Sequence, residues 1–244
     1  MNLTGIRTDN TLLLGRVPAL VCHSQTLQAS VRKGTILFYH GLGASKEVHL
    51  AEIRQLAAAG YLVVVPDAVG HGQRKDPKLD QLMALGHPTR TSLFLNIIRE
   101  TAMELPSLLD ELLSKGWIHR ERIGITGISM GGHICFLAIV LDPRIQVAVS
   151  ILGSPVLKPL AAASPHRNLE RFSSVRLLSQ NAGRDEIVPA AEAEQFHARL
   201  QRAYADHAQR FEHLNYPNSG HLMAVDDWIQ CTDRMVTWFD RHMP

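Results

Sequence analysis

The strongest constraint on the fold is a series of short runs, apolar almost throughout and rich in β-branched residues: Thr35–Tyr39, Tyr61–Val65, Ile123–Ile128, Ile145–Leu152 and Val175–Ser179. A strand with one wet face alternates apolar and polar residues; these do not, so both faces should be covered. Between them lie segments of helical period. Leu50, Ile53 and Leu56 share a face, and Gly60 should end that helix. Leu95, Ile98, Leu105, Leu109 and Leu112 mark a longer one, with a bend expected at Pro106. Phe196, Leu200 and Ala203 mark a helix after Pro189, and Trp228, Cys231, Met235 and Trp238 a final one after a last strand at Phe211–Tyr216. The aromatic residues of that last helix, Trp228, Trp238 and Phe239, are expected in the core. Strand and helix alternate, which predicts an α/β fold: a mostly parallel central sheet, right-handed crossovers and helices on both faces. The chain up to Lys33 reads as one or two antiparallel edge strands.

The sequence has 244 residues, 45% of them hydrophobic, with no internal repeat or linker, so 1–244 reads as one domain. Two segments fit neither period. Val69–Arg90 is polar and loop-like, and 154–174 is rich in Ala, Pro and Ser. Both follow strands, where ligands bind in open α/β sheets. The second is too short for a large lid and is expected to form at most a small cap.

Composition narrows the partners. A formal net charge of +2, without basic runs, argues against a nucleic-acid partner. The longest apolar run, "ICFLAIVL", is too short to span a bilayer, and "MNLTGIRTDN" lacks the basic-then-apolar pattern of a signal peptide. A soluble cytoplasmic protein without a membrane partner is expected, as monomer or homodimer. The three cysteines, Cys22, Cys135 and Cys231, are too few and too widely spaced for a disulfide framework or a CxxC metal site.

The chemistry is concentrated in "RIGITGISMGGHICF". A strand that turns sharply into a helix strains the apex residue and crowds the positions two before and two after it. Gly127 and Gly131 hold those positions around Ser129, giving a G-x-S-x-G elbow that exposes the serine at a helix N-terminus. A serine nucleophile needs a base and a group to orient that base. In this topology the acid follows the serine and the histidine comes last. Asp185, in "NAGRDEIVP", lies in a turn at a strand's carboxyl end and is favoured over Glu186. His221, in "PNSGHLMAVDD", lies in a loop after the last strand and is favoured over His213, inside that strand, and His207.

Oxyanion donors are expected from the backbone N–H of Leu42, in the glycine turn "HGLGASK", and of Met130, the residue after the nucleophile. His40 and Gly41 of that turn, with Val156, Leu157, Leu160, Leu222 and Met223, are candidates for the substrate pocket. "GLGASK" is no dinucleotide fingerprint, since Lys46 stands where the third glycine belongs, and no G-K-[ST] closes a phosphate loop. Asp67 and His71, in "PDAVGHGQR", lack a third metal ligand at useful spacing and read instead as a structural turn, with Asp67 accepting backbone hydrogen bonds. No cofactor or metal is expected.

Taken in order, "HGLG", "PDAVGHG", "GISMGG", "GRDEIVP" and "SGH" resemble the α/β-hydrolase superfamily over nearly the whole chain. Within it the chain is similar to small bacterial serine carboxylesterases near the dienelactone hydrolases and prolyl-oligopeptidase-type domains. The resemblance implies Ser129 as nucleophile, Asp185 as acid, His221 as base and an oxyanion hole at Leu42 and Met130. Dienelactone hydrolases carry a cysteine at the elbow, so serine favours ordinary ester cleavage. Many relatives carry arginine where this chain has Val69. The implied activity is hydrolysis of small-molecule esters of short to medium acyl chain; thioester or peptide hydrolysis with the same groups, or a small-molecule sensor on the hydrolase fold, are the alternatives.

Overall fold

A computed structural model describes residues 5–77, 81, 84 and 89–244. Its eight strands are β1 (Arg7–Leu13), β2 (Val17–His23), β3 (Thr35–Tyr39), β4 (Leu62–Pro66), β5 (Ile123–Ile128), β6 (Val147–Ile151), β7 (Arg176–Ala182) and β8 (Phe211–Tyr216). They form one sheet in the order β1-β2-β4-β3-β5-β6-β7-β8. β1 pairs with β2, and β2 with β4, in antiparallel register; every other pairing is parallel. The expected edge strands are β1 and β2, and the central runs fall within a residue or a few of their predicted ends.

Why these runs are apolar on both faces is visible in the packing. Successive residues of a strand point to opposite sides. Leu37 and Tyr39 of β3 and Leu62 and Val64 of β4 face one core cluster, while Ile36, Phe38, Val63 and Val65 face the other. The first cluster is covered by helices α3 (Thr89–Ser114), α4 (Met130–Leu141) and α5 (Ala190–Ala203). The second is covered by α2 (Leu50–Ala58) and α6 (Val225–His242). α4 is the innermost helix: every residue from Met130 to Ile139 is buried, as expected of a helix that is apolar all round.

Two expectations change. Leu27–Lys33, read as part of an edge-strand region, is a short helix, α1. The Thr26 side chain caps it by accepting the Ala29 N–H at 3.3 Å. The helix with Pro106 inside it spans Thr89–Ser114. The polar stretch read as a loop over Val69–Arg90 contains a 3-10 turn at Gly72–Arg74, and α3 has begun by Thr89. Its residues 78–80, 82–83 and 85–88 lie outside the described residues. The segment 154–174 folds as three 3-10 turns, Lys158–Ala163, Pro165–Arg167 and Leu169–Phe172, anchored by the fully buried Phe172. Among the described residues no helix is long and apolar enough to cross a membrane.

Candidate active site

The link from β5 to α4 is a single residue, Ser129, with φ 57° and ψ −111°. Such a backbone costs a non-glycine residue roughly 1–3 kcal/mol, so the surroundings must enforce it. The Ser129 N–H donates to the Ile151 carbonyl at 2.8 Å. Its own carbonyl accepts from the His133 N–H at 3.1 Å and from His133 Nδ1 at 2.9 Å. The flanking glycines explain themselves by contact. A methyl group at 127 would lie 2.6 Å from the Gly131 carbonyl, and one at 131 would lie 2.0 Å from the Tyr39 carbonyl oxygen. Strand, turn and helix touch backbone to backbone here.

Asp185 and His221 arrive from the carboxyl ends of β7 and β8. Asp185 sits in the turn after β7, 6% exposed. Its Oδ1 accepts the N–H groups of Ile187 at 2.9 Å and Val188 at 2.8 Å, leaving Oδ2 to accept from His221 Nδ1 at 2.7 Å. The His221 ring then reaches Ser129 Oγ through Nε2 at 3.0 Å. The His221 loop is pinned at its root. The Arg184 N–H donates to the Ser219 carbonyl at 2.9 Å, and Ser219 Oγ donates to Asp227 at the start of α6 at 2.6 Å. Of the competitors, His213 stays inside β8 with its Nε2 3.3 Å from Asn181 Oδ1, and Glu186 lines the cleft.

The turn after β3 passes beside the serine: a Cβ on Gly41 would sit 3.8 Å from the Ser129 Cβ. The Leu42 N–H has no acceptor among the described residues. The Met130 N–H is the first of its helix and so has no intrahelical acceptor either. His40 is placed differently from the expectation that it lines the pocket. It is 1% exposed, with Nδ1 2.9 Å from the Gly41 carbonyl and Nε2 accepting the Ala68 N–H at 3.1 Å. These bonds fit one neutral tautomer, and burial holds the ring down to about 4. His40 therefore braces the turn from below. Asp67 does the same from the side, accepting the N–H groups of Lys46 and Gln73, both at 2.9 Å, as read from the sequence. The Lys46 ammonium lies 3.3 Å from the other Asp67 oxygen, in a pair 1% and 0% exposed. His71 turns its Nδ1 to the Val69 carbonyl at 2.9 Å. Among the described residues no group of three or more His, Cys, Asp or Glu is arranged to hold a metal ion.

Ser129 and His221 open into a cleft of about 1480 Å³. The pocket candidates Gly41, Val156, Leu157, Leu222 and Met223 line it, together with Leu42. Leu160 does not; it packs against the core beneath the 3-10 segment. Several lining residues were not anticipated. Trp228, expected in the core, is half-buried on the cleft wall and donates its indole N–H to Glu52 at 2.8 Å, while Trp238 and Phe239 are core residues at 4% and 0% exposure. His133 and Phe94 also line the cleft, ring to ring in an edge-on contact. Leu152, after β6, forms part of the wall with a second strained backbone, φ 53°. His133 lies four residues after Ser129, one turn along the same helix face, and that spacing was the signal available in the sequence.

With the geometry in view, comparison with known proteins places the chain. Residues 21–233 match the model of the Dienelactone hydrolase family, and the chain belongs to that family. It is 25% identical over 237 residues to YitV of Bacillus subtilis (strain 168), covering 85% of this chain and 89% of that one. It is likewise 25% identical over 237 residues to "Esterase YjfP" of Escherichia coli (strain K12), covering 85% and 88%. The crystal structure of TT1662 from Thermus thermophilus superposes with a TM-score of 0.75 at 22% identity, covering 96% of this chain and 98% of that one. The fold is the α/β-hydrolase fold, and the protein is a hydrolase of that superfamily.

Proposed function

We propose that this chain is a serine esterase acting on small-molecule carboxylic esters of short to medium acyl chain. The observation that carries the reading is the unbroken hydrogen-bonded path from Asp185 Oδ2 through both His221 nitrogens to Ser129 Oγ, at 2.7 and 3.0 Å. His221 Nε2 takes the Ser129 proton as Oγ attacks the ester carbonyl. The carbonyl oxygen gains the negative charge, and the Leu42 and Met130 N–H groups stabilise it. As the carbon–oxygen bond of the ester breaks, the proton on His221 passes to the departing alcohol. Water then enters, gives a proton to His221 and attacks the acyl-enzyme. The acid leaves as Ser129 regains its proton. Asp185 keeps the imidazole in the tautomer and orientation these steps need. Every step uses groups of this chain, and serine at the elbow favours ordinary esters over dienelactones.

The test is hydrolysis of p-nitrophenyl acetate, butyrate and octanoate by the natural protein and by Ser129→Ala, with circular dichroism as the check on folding. Turnover should fall by a factor on the order of 10³ or more in the variant. Equal rates in both proteins would sink the assignment of Ser129. A folded natural protein that turns over none of the three would sink the esterase reading for these chain lengths.

A further inference from the structure

The chemistry proposed above divides the cleft. His221 must pass a proton to the leaving oxygen, so the alcohol lies on its side, against Leu222, Met223 and Ile187. The acyl chain is assigned to the apolar lining formed by Phe94, Leu95, Leu152 and Leu157. Beside Phe94 in that lining stands one buried polar side chain, His133, which is 6% exposed. Its Nδ1 lies 2.9 Å from the Ser129 carbonyl, which can only accept. Nδ1 therefore carries the hydrogen, and in a neutral imidazole Nε2 is then a bare acceptor. Burial favours that neutral form. Nε2 has no hydrogen-bond partner among the described residues, yet it is absent from the sealed, unpartnered atoms of the interior, where both nitrogens of His197 are found. His133 itself lines the cleft. Other polar side chains of the cleft differ: Arg90 and Lys158 are exposed, Thr91 is half-exposed, and Glu192 is engaged by Ser154 Oγ at 2.8 Å.

We infer that His133 is a specificity-determining residue: its Nε2 accepts a hydrogen bond from a hydroxyl on the acyl chain, and the preferred substrates are esters of hydroxy acids. The inference rests on the esterase reading. The His133 ring is held against the nucleophile's own backbone, with Nδ1 2.9 Å from the Ser129 carbonyl, and the proposal sets a hydroxyl a few carbons along the acyl chain at its Nε2. An acyl chain without a donor would leave the buried nitrogen desolvated and unpaired, which is what makes such a group discriminate.

The experiment compares p-nitrophenyl butyrate, 3-hydroxybutyrate and 3-methoxybutyrate. The methoxy group keeps the oxygen and adds bulk but cannot donate. The readout is the ratio of kcat/KM between the hydroxy and methoxy esters within one enzyme preparation, which cancels losses from misfolding. The natural protein should favour the hydroxy ester about tenfold, and His133→Leu should bring the ratio close to one. His133→Gln, which retains an acceptor, should keep part of the preference and serves as the second variant if the leucine protein does not fold. A ratio near one in the natural protein, or an unchanged ratio in His133→Leu, overturns the inference. If butyrate is cleaved and Ser129→Ala abolishes that, such a result fails the hydroxy-acid inference alone. If no ester is cleaved, the esterase reading fails and this inference falls with it.

Discussion

An alanine at position 131 would bring its methyl group to 2.0 Å from the Tyr39 carbonyl oxygen and 2.6 Å from the Tyr39 carbonyl carbon. Both are backbone atoms of the sheet's central region, so no rotamer change relieves the clash. Gly131→Ala should therefore cost about 1–3 kcal/mol of stability as an overpacking change. It should also lower kcat, because the displaced segment carries the Met130 N–H and begins the helix that follows Ser129. Urea unfolding read beside ester turnover checks both; unchanged midpoint and unchanged kcat would refute the account. The elbow was legible in the sequence because its two glycines answer a steric demand that no other residue meets. Asp185 and His221 were legible because each stands in a turn-rich stretch just past a strand. His133 was not, for a physical reason: it lies in a helix buried on all sides, where a histidine reads as packing.

At the scale of elements, the turn after β3 and the turn after β4 are held to each other by one carboxylate. Asp67 receives the Lys46 N–H on one oxygen and the Gln73 N–H and Lys46 ammonium on the other. Asp67→Asn keeps the shape but sets an NH₂ group against two donors, or against one if the amide flips. It also removes the negative charge from a buried cation. Breaking a buried pair from one side costs about 3–5 kcal/mol; the second carboxylate of Lys46, Glu47 at 2.7 Å, should hold the loss near the lower figure. Because Leu42 rides on the first of these turns, kcat should fall more than KM rises. Thermal unfolding and steady-state kinetics test this, and a variant with natural stability and natural kcat would contradict it. The sequence showed Asp67 as a turn residue but not its reach across to Lys46, since nothing local links residues so far apart. The same limit hid α1. Seven residues give a helix fewer than two full turns, too little for a period to stand out beside the strand runs around it.

Across the whole molecule, buried histidines set the response to acid. Burial holds His40 down to about 4 and His197 to about 3, against an ordinary value of 6.5. In the unfolded chain both take up protons near 6.5, while in the folded chain they stay neutral to lower pH. The stability this contributes is fully present above pH 6.5 and is lost as pH falls, through about 4 for His40 and about 3 for His197. Each group should account for about 1.4 kcal/mol per pH unit within its window. His197 has no hydrogen-bond partner on either nitrogen, so His197→Leu should be nearly neutral at pH 7 and should flatten the loss of stability between pH 6 and 4.5. Urea unfolding at a series of pH values measures the slope; an equal slope in both proteins would remove His197 from the account. Two-sided apolar strands made the sheet and its covering helices readable from sequence. The placement of Trp228 was legible only in part, because it packs against the second core cluster and lines the cleft as well. The site's arrangement at the sheet's carboxyl end has a temporal side. Ser129 follows β5, Asp185 follows β7 and His221 follows β8, the strand at the sheet's far edge. As the chain leaves a ribosome, the nucleophile, its neighbouring turns and most of the sheet emerge well before the base. The proposed chemistry therefore stays silent in a partly made or partly folded molecule until β8 docks and the loop after it brings in the base.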